Sequence, residues 1–123
     1  MSAKVLLVDD EKDFLDIMAE RMEARGMDVS TAGSAEDALK MVQTESYDAV
    51  IIDFLMPEMD GFSALKMFKE SQPRLSVILL TANVTEEQRN AAIALGALDV
   101  IEKPADLNLL SQKIEEARIH RET

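Results

Sequence analysis

The sequence has no cysteine. A disulfide framework and a thiolate metal site are both excluded. It has one histidine, His120, near the polar C-terminus. That residue reads as an exposed side chain and not as a phosphohistidine. No apolar run approaches the roughly 18 residues that a membrane span requires, and none follows Met1-Ser2-Ala3-Lys4 as a secretory signal would. The expected location is the cytoplasm, with no membrane contact. Basic residues are scarce: 13 Lys and Arg stand against 24 Asp and Glu, for a formal net charge of −11. Direct binding to nucleic acid needs clustered Lys and Arg to displace counterions, so none is expected. The same balance repels phosphate, and any phosphate chemistry must bring in a cation. Most of the acidic residues are expected to be solvated surface.

What remains is one α/β domain. A chain of 123 residues suits a single unit, 1–123, that buries roughly two-thirds of its unfolded surface. Val5-Leu6-Leu7-Val8, Ala49-Val50-Ile51-Ile52 and Val77-Ile78-Leu79-Leu80 are continuous apolar runs. Such runs fit strands covered on both faces, as in a parallel sheet. Asp28–Ala32 and Asp99–Glu102 are weaker strand candidates, and the more polar first one belongs at an edge. Helical stripes lie between them: Leu15, Met18, Ala19 and Met22; Ala35, Ala38, Leu39 and Val42; Phe62, Leu65 and Phe68; Ala91, Ala92 and Leu95; Leu107, Leu110, Ile114 and Ala117. Ser34 with Asp37, and Thr85 with Gln88, resemble capping boxes. Gly26 and Gly96 stand where helix C-termini should end. The eight Met residues read as core filler. Strand and helix alternate five times, without repeat, linker or low-complexity segment. This implies right-handed crossovers, helices on both faces and a doubly wound, flavodoxin-like parallel sheet of order 2-1-3-4-5. Ligands bind such sheets outside the carboxyl ends of the strands.

Polar residues stand at those ends. The first strand runs into Asp9-Asp10, the third into Asp53, the fourth into Thr81 and the fifth into Lys103-Pro104. Singly, each has an ordinary reading as a turn residue, a cap or a surface lysine. Together on one edge they form a crevice with three mutually repelling carboxylates. A hard divalent cation removes that conflict, and few protein ligands with several retained waters suit Mg²⁺. The cation also draws in a phosphoryl group. Lys103 supplies a second positive charge, Thr81 a hydrogen bond, and Asp53 an oxygen nucleophile.

At these residues the chain resembles the receiver domains of two-component response regulators, chemotaxis-regulator-like, over nearly its whole length. Asp53-Phe54-Leu55-Met56-Pro57-Glu58-Met59-Asp60-Gly61 is similar to the segment around the phospho-acceptor aspartate. Leu7-Val8-Asp9-Asp10-Glu11, Leu80-Thr81-Ala82 and Glu102-Lys103-Pro104 resemble the acidic pair, the switch segment and the lysine with its cis proline. The resemblance implies that Asp53 takes a phosphoryl group from a sensor histidine kinase or a histidine phosphotransfer protein. It implies Mg²⁺ held directly by Asp10, Asp53 and the Leu55 carbonyl, with Asp9 acting mainly through water. Thr81 and Lys103 would bind phosphoryl oxygens after transfer. The chain would catalyse only its own phosphorylation and dephosphorylation, and would control an output domain or partner through the face of the fourth helix, fifth strand and fifth helix.

Two positions depart from the family pattern. Val100 stands where an aromatic is common, which removes the usual ring from the switch. Ala105 stands where Phe is frequent, and Ala105-Asp106-Leu107 resembles receivers attached to ATPase-type regulators or hybrid kinases more than those carrying winged-helix DNA-binding domains. A stand-alone receiver and the receiver of a longer protein both fit the sequence. An aspartyl-phosphate phosphatase fits poorly, because its second Asp would fall at Leu55. A flavin carrier fits poorly too, because Asp9-Asp10-Glu11 is hostile to a phosphate.

Overall fold

The three continuous apolar runs form the three inner strands of a sheet. The computed structural model describes residues 3–56 and 59–122. In chain order the elements are β1 (Lys4–Val8), α1 (Lys12–Glu23), β2 (Asp28–Ala32), α2 (Ala35–Thr44), β3 (Ala49–Asp53), β4 (Leu55–Met56), β5 (Met59–Asp60), α3 (Gly61–Ser71), β6 (Ser76–Thr81), α4 (Glu86–Ala94), β7 (Asp99–Glu102) and α5 (Leu107–Glu122). Five strands make one sheet of order β2-β1-β3-β6-β7, and every pairing in it is parallel. Counting only these five, the order is the expected 2-1-3-4-5. The polar strand β2 lies at one edge and pairs with β1 alone. The short strand β7 forms the other edge.

Alternation along each strand divides the core in two. Leu6, Val8, Val50, Ile52, Val77 and Leu79 face α2, α3 and α4, where Ala38, Val42, Leu65, Phe68 and Ala92 cover them. Val5, Leu7, Ile51, Ile78, Leu80 and Ile101 face α1 and α5, where Leu15, Met18, Met22, Leu110 and Ile114 cover them. A strand buried on both faces has no polar position to spare, which is why these runs are unbroken.

The helix ends are set locally. Ser34 Oγ accepts the Asp37 N–H at 3.1 Å. Thr85 and Gln88 form the complete reciprocal capping box. Gly26 and Gly96 have φ of 91° and 105°, and each closes a helix in the left-handed region that glycine enters without penalty. Asp60 caps α3 by accepting the Ser63 N–H at 2.9 Å, and Asp106 caps α5 through the Asn108 N–H at 2.8 Å. The Lys103–Pro104 bond is cis, as expected.

Three features differ from the sequence expectation. Helix α4 buries Ala92 alone, while Ala91 and Leu95 are exposed. Its Glu86, Glu87, Arg89 and Asn90 dilute the apolar stripe, so the helix rests on a narrow line of contact. The methionines are not uniformly core: Met18 and Met22 are buried, but Met67 is 37% exposed. A short antiparallel pair, β4 with β5, interrupts the β3–α3 connection. It folds Gly61 against Phe54, whose carbonyl accepts the Gly61 N–H at 2.8 Å. A Cβ at Gly61 would lie 2.5 Å from the Phe54 ring. Phe54 in turn meets Phe62 edge-on, with centroids 5.0 Å apart.

Phe68 is 1% exposed and fills the space between α3 and the sheet. Phe68→Ala is expected to lower the unfolding free energy by about 3–5 kcal/mol, through lost transfer energy and the cavity left behind. Leu95→Ala at the C-cap of α4 should stay within about 0.5 kcal/mol of wild type. Urea denaturation checks both, and equal midpoints for the two variants would contradict this account of the core.

Candidate functional site

β1 lies between β2 and β3, so its C-terminal end emerges at the middle of the sheet edge. The Asp9 N–H continues the ladder to the Ala32 carbonyl at 3.2 Å. This fixes Asp9 before the chain turns into α1. Asp53 is the last residue of β3 and pairs with Leu80 of β6. The Phe54 N–H extends that pairing to the Leu80 carbonyl at 2.7 Å. Thr81 ends β6, and its carbonyl accepts the Lys103 N–H at 2.7 Å. Parallel register alone thus delivers all four strand ends to one crevice.

Asp9, Asp10 and Asp53 each place a carboxylate oxygen within 4.8 Å of the others. Asp9 is 1% exposed and Asp53 is 8% exposed, whereas Asp10 faces solvent. Buried carboxylates at this spacing need positive charge. Lys103 provides it: Nζ lies 3.1 Å from Asp9 Oδ2 and 3.3 Å from Asp53 Oδ1. Partial burial alone would pull the Lys103 pKa down. Its hydrogen bond to Asp9 and the charges of Asp53 and Asp9 outweigh that effect, so its pKa is raised and the ammonium is kept. The other oxygen of Asp9, Oδ1, accepts the Glu11 N–H at 3.0 Å. Asp9 therefore ties the first turn of α1 to Lys103.

The structure brings Asp9, Asp10, Asp53 and Lys103 into one cluster. Thr81 stands at the same edge, 5% exposed, with its hydroxyl accepting the Asn83 N–H at 3.4 Å. Leu55 is the second residue after Asp53, in β4. Pro57 and Glu58 of the same segment lie outside the described residues. His120 is exposed on α5, as expected. A cavity of about 250 Å³ opens beside Asp10, lined also by Ser34, Met56 and Met59.

Sequence reasoning missed Phe14. Its ring centroid lies 4.4 Å from Lys103 Nζ, although α1 and the β7–α5 connection are far apart in the chain. The stripe of α1 was legible from Leu15 onward, but nothing local ties position 14 to Lys103.

The donor set fits a hard divalent cation: carboxylate oxygens alone, one of them open to solvent. Lys103 and such a cation serve the same need. Lys103→Met should lower the stability of the metal-free domain by about 1–3 kcal/mol, less than for a fully buried pair because the lysine side chain keeps 19% exposure. Added Mg²⁺ should then raise its melting temperature more than that of wild type, since binding to the folded state alone stabilises by mass action. Asp10→Ala should reduce the Mg²⁺ shift more completely than Asp9→Ala, because Asp9 is already held by Lys103 and Glu11. Thermal melts in EDTA and in millimolar Mg²⁺ test this. Equal Mg²⁺ shifts in wild type and Lys103→Met would remove Lys103 from the charge balance.

Residues 5–115 match the family described as response regulator receiver domain. The alkaline phosphatase synthesis transcriptional regulatory protein PhoP of Bacillus subtilis is 34% identical over 104 residues, covering 85% of this chain and 43% of that protein. Transcriptional regulatory protein ZraR of Salmonella typhimurium is 36% identical over 120 residues, covering 97% of this chain and 27% of that protein. The chain thus spans less than half the length of these curated relatives. The crystal structure of a response regulator receiver domain protein from Clostridium thermocellum superposes with a TM-score of 0.90 at 31% identity, covering 98% of this chain and 97% of that one. Fold and family agree: this chain belongs to the response regulator receiver domain family.

Proposed function

We propose that this chain is the phospho-accepting receiver of a two-component system, with Asp53 as the acceptor. One observation carries the reading. Asp53 ends β3 at the switch point of the sheet, shares Lys103 with Asp9 inside a cluster able to hold a cation, and opens the segment that resembles the one around a phospho-acceptor aspartate. In the reaction, an Asp53 oxygen attacks the phosphorus of a phosphohistidine. The P–N bond breaks as the P–O bond forms, and the electron pair returns to the imidazole nitrogen. The donor is a sensor histidine kinase or a histidine phosphotransfer protein.

The residues divide the work. Asp10, Asp53 and the Leu55 carbonyl would hold Mg²⁺, with Asp9 acting mainly through water. When bound, the ion neutralises phosphoryl charge. Lys103 is already within 3.3 Å of Asp53 and can follow the new dianion. Thr81, at the same edge, can turn its hydroxyl from Asn83 to a phosphoryl oxygen. Both moves act on neighbouring elements. Thr81 leads into α4, Lys103 joins β7 to α5, and the Val84 N–H is bound by Glu102 Oε1 at 3.4 Å. The output is therefore read from the α4–β7–α5 face, by another domain or protein. With Val100 in place of a ring, the coupling runs through backbone and small side chains.

The chain acts on no separate substrate and catalyses only its own phosphorylation and dephosphorylation. Its net charge of −11 argues against direct contact with nucleic acid, so a DNA-binding role belongs to another domain or partner. Among the described residues no helix is long and apolar enough to cross a membrane.

Acetyl phosphate with Mg²⁺, followed by intact mass, should add one phosphoryl group to wild type and none to Asp53→Asn. Asn keeps the shape of Asp but is a poor nucleophile. Full labelling of Asp53→Asn would move the acceptor elsewhere, and no labelling of wild type would argue against the acceptor role.

A further inference from the structure

Among the described residues the Lys103 ammonium has three neighbours. Two are Asp9 and Asp53, at 3.1 and 3.3 Å. The third is the face of Phe14, with the ring centroid at 4.4 Å, well inside the roughly 6 Å over which a ring attracts a cation. Phe14 stands in the first turn of α1, which the Asp9–Glu11 hydrogen bond fixes. It is only partly buried, at the margin of the core layer formed by Leu7, Leu15 and Met18. A residue needed for packing alone could be any apolar group here.

We infer that Phe14 is a positioning residue for Lys103, and that its ring holds the ammonium at the crevice when the carboxylates turn to a bound cation. The inference rests on the phosphorylation reading above. A divalent cation among Asp9, Asp10 and Asp53 draws on the same oxygens that hold Lys103, and repels its charge. The ring is the neighbour for which the cation does not compete. Its quadrupole is unaffected by metal binding or by phosphorylation. It keeps the lysine ordered, so that less freedom is lost when Lys103 meets a phosphoryl oxygen. The ring is thus a neutral rest for the lysine between its two ionic engagements.

The test uses Mg²⁺ and beryllofluoride as the phosphoryl mimic, on wild type, Phe14→Leu and Phe14→Tyr. Leu keeps apolar bulk and removes the ring face, whereas Tyr keeps the ring. Phe14→Leu should bind beryllofluoride about three- to tenfold more weakly, the loss expected when a long side chain that the ring no longer orders must be immobilised on binding. Its Mg²⁺ affinity in the absence of the mimic should be unchanged, and Phe14→Tyr should restore wild-type affinity for the mimic. NMR supplies a readout that packing would not move. The Lys103 ε-methylene resonances should be shifted upfield by the ring in wild type and Phe14→Tyr, and not in Phe14→Leu. Beryllofluoride affinity in Phe14→Leu equal to wild type overturns the inference, as does equal weakening of Mg²⁺ and mimic binding. A wild-type chain that binds Mg²⁺ but no beryllofluoride defeats the phosphorylation reading and this one together.

Discussion

Two buried carboxylates share one ammonium, and the site depends on that arrangement. Asp9 and Asp53 come from different strands and are almost fully withdrawn from water. Each would be costly to bury as an isolated anion. Lys103 reaches both from the far side of β6. The parallel register makes this possible, because it sets the ends of β1, β3 and β7 on one edge. The cluster also contains more negative than positive charge, with Asp10 completing the set. It is therefore held together without being neutralised, and keeps an attraction for a further cation.

The opposite edge of the sheet is arranged differently. There Asp48, 9% exposed, accepts the Lys4 N–H at 2.7 Å and pairs with Arg121 at 3.0 Å. Its partners are supplied by the chain itself, a backbone N–H from β1 and a guanidinium from the end of α5. One edge thus closes its charges within the fold, and the other leaves them open to a ligand. On the α4–β7–α5 side, Asp99 pairs with both Arg89 and Lys113, the latter at 3.5 Å. This joins the three elements of that face where an aromatic at position 100 is absent.

Most of the fold was legible because its signals are local. The unbroken runs at Val5–Val8, Ala49–Ile52 and Val77–Leu80 reflect burial on both faces, and burial on both faces implies covering helices. Gly26 and Gly96 were legible because only a left-handed turn calls for glycine there. The carboxylates and Lys103 followed from topology, since each ends a strand. What escaped depended on contacts between distant segments. Phe14 meets Lys103 only through the packing of α1 beside the β7–α5 connection. The exposure of Leu95 follows from how little of α4 rests on the sheet. The β4–β5 pair has two residues per strand, too few for any periodicity to show.

The contact between Gly61 and Phe54 joins two positions into one evolutionary unit. The Phe54 ring occupies the volume that any side chain at position 61 would need. The same ring rests edge-on against Phe62, the residue after that glycine. Drift at 61 must therefore wait for a smaller group at 54, and a smaller group at 54 would strip Phe62 of its neighbour. Three residues in the segment that follows Asp53 are thus free to vary only in concert, and lineages descending from this sequence should exchange them as a set.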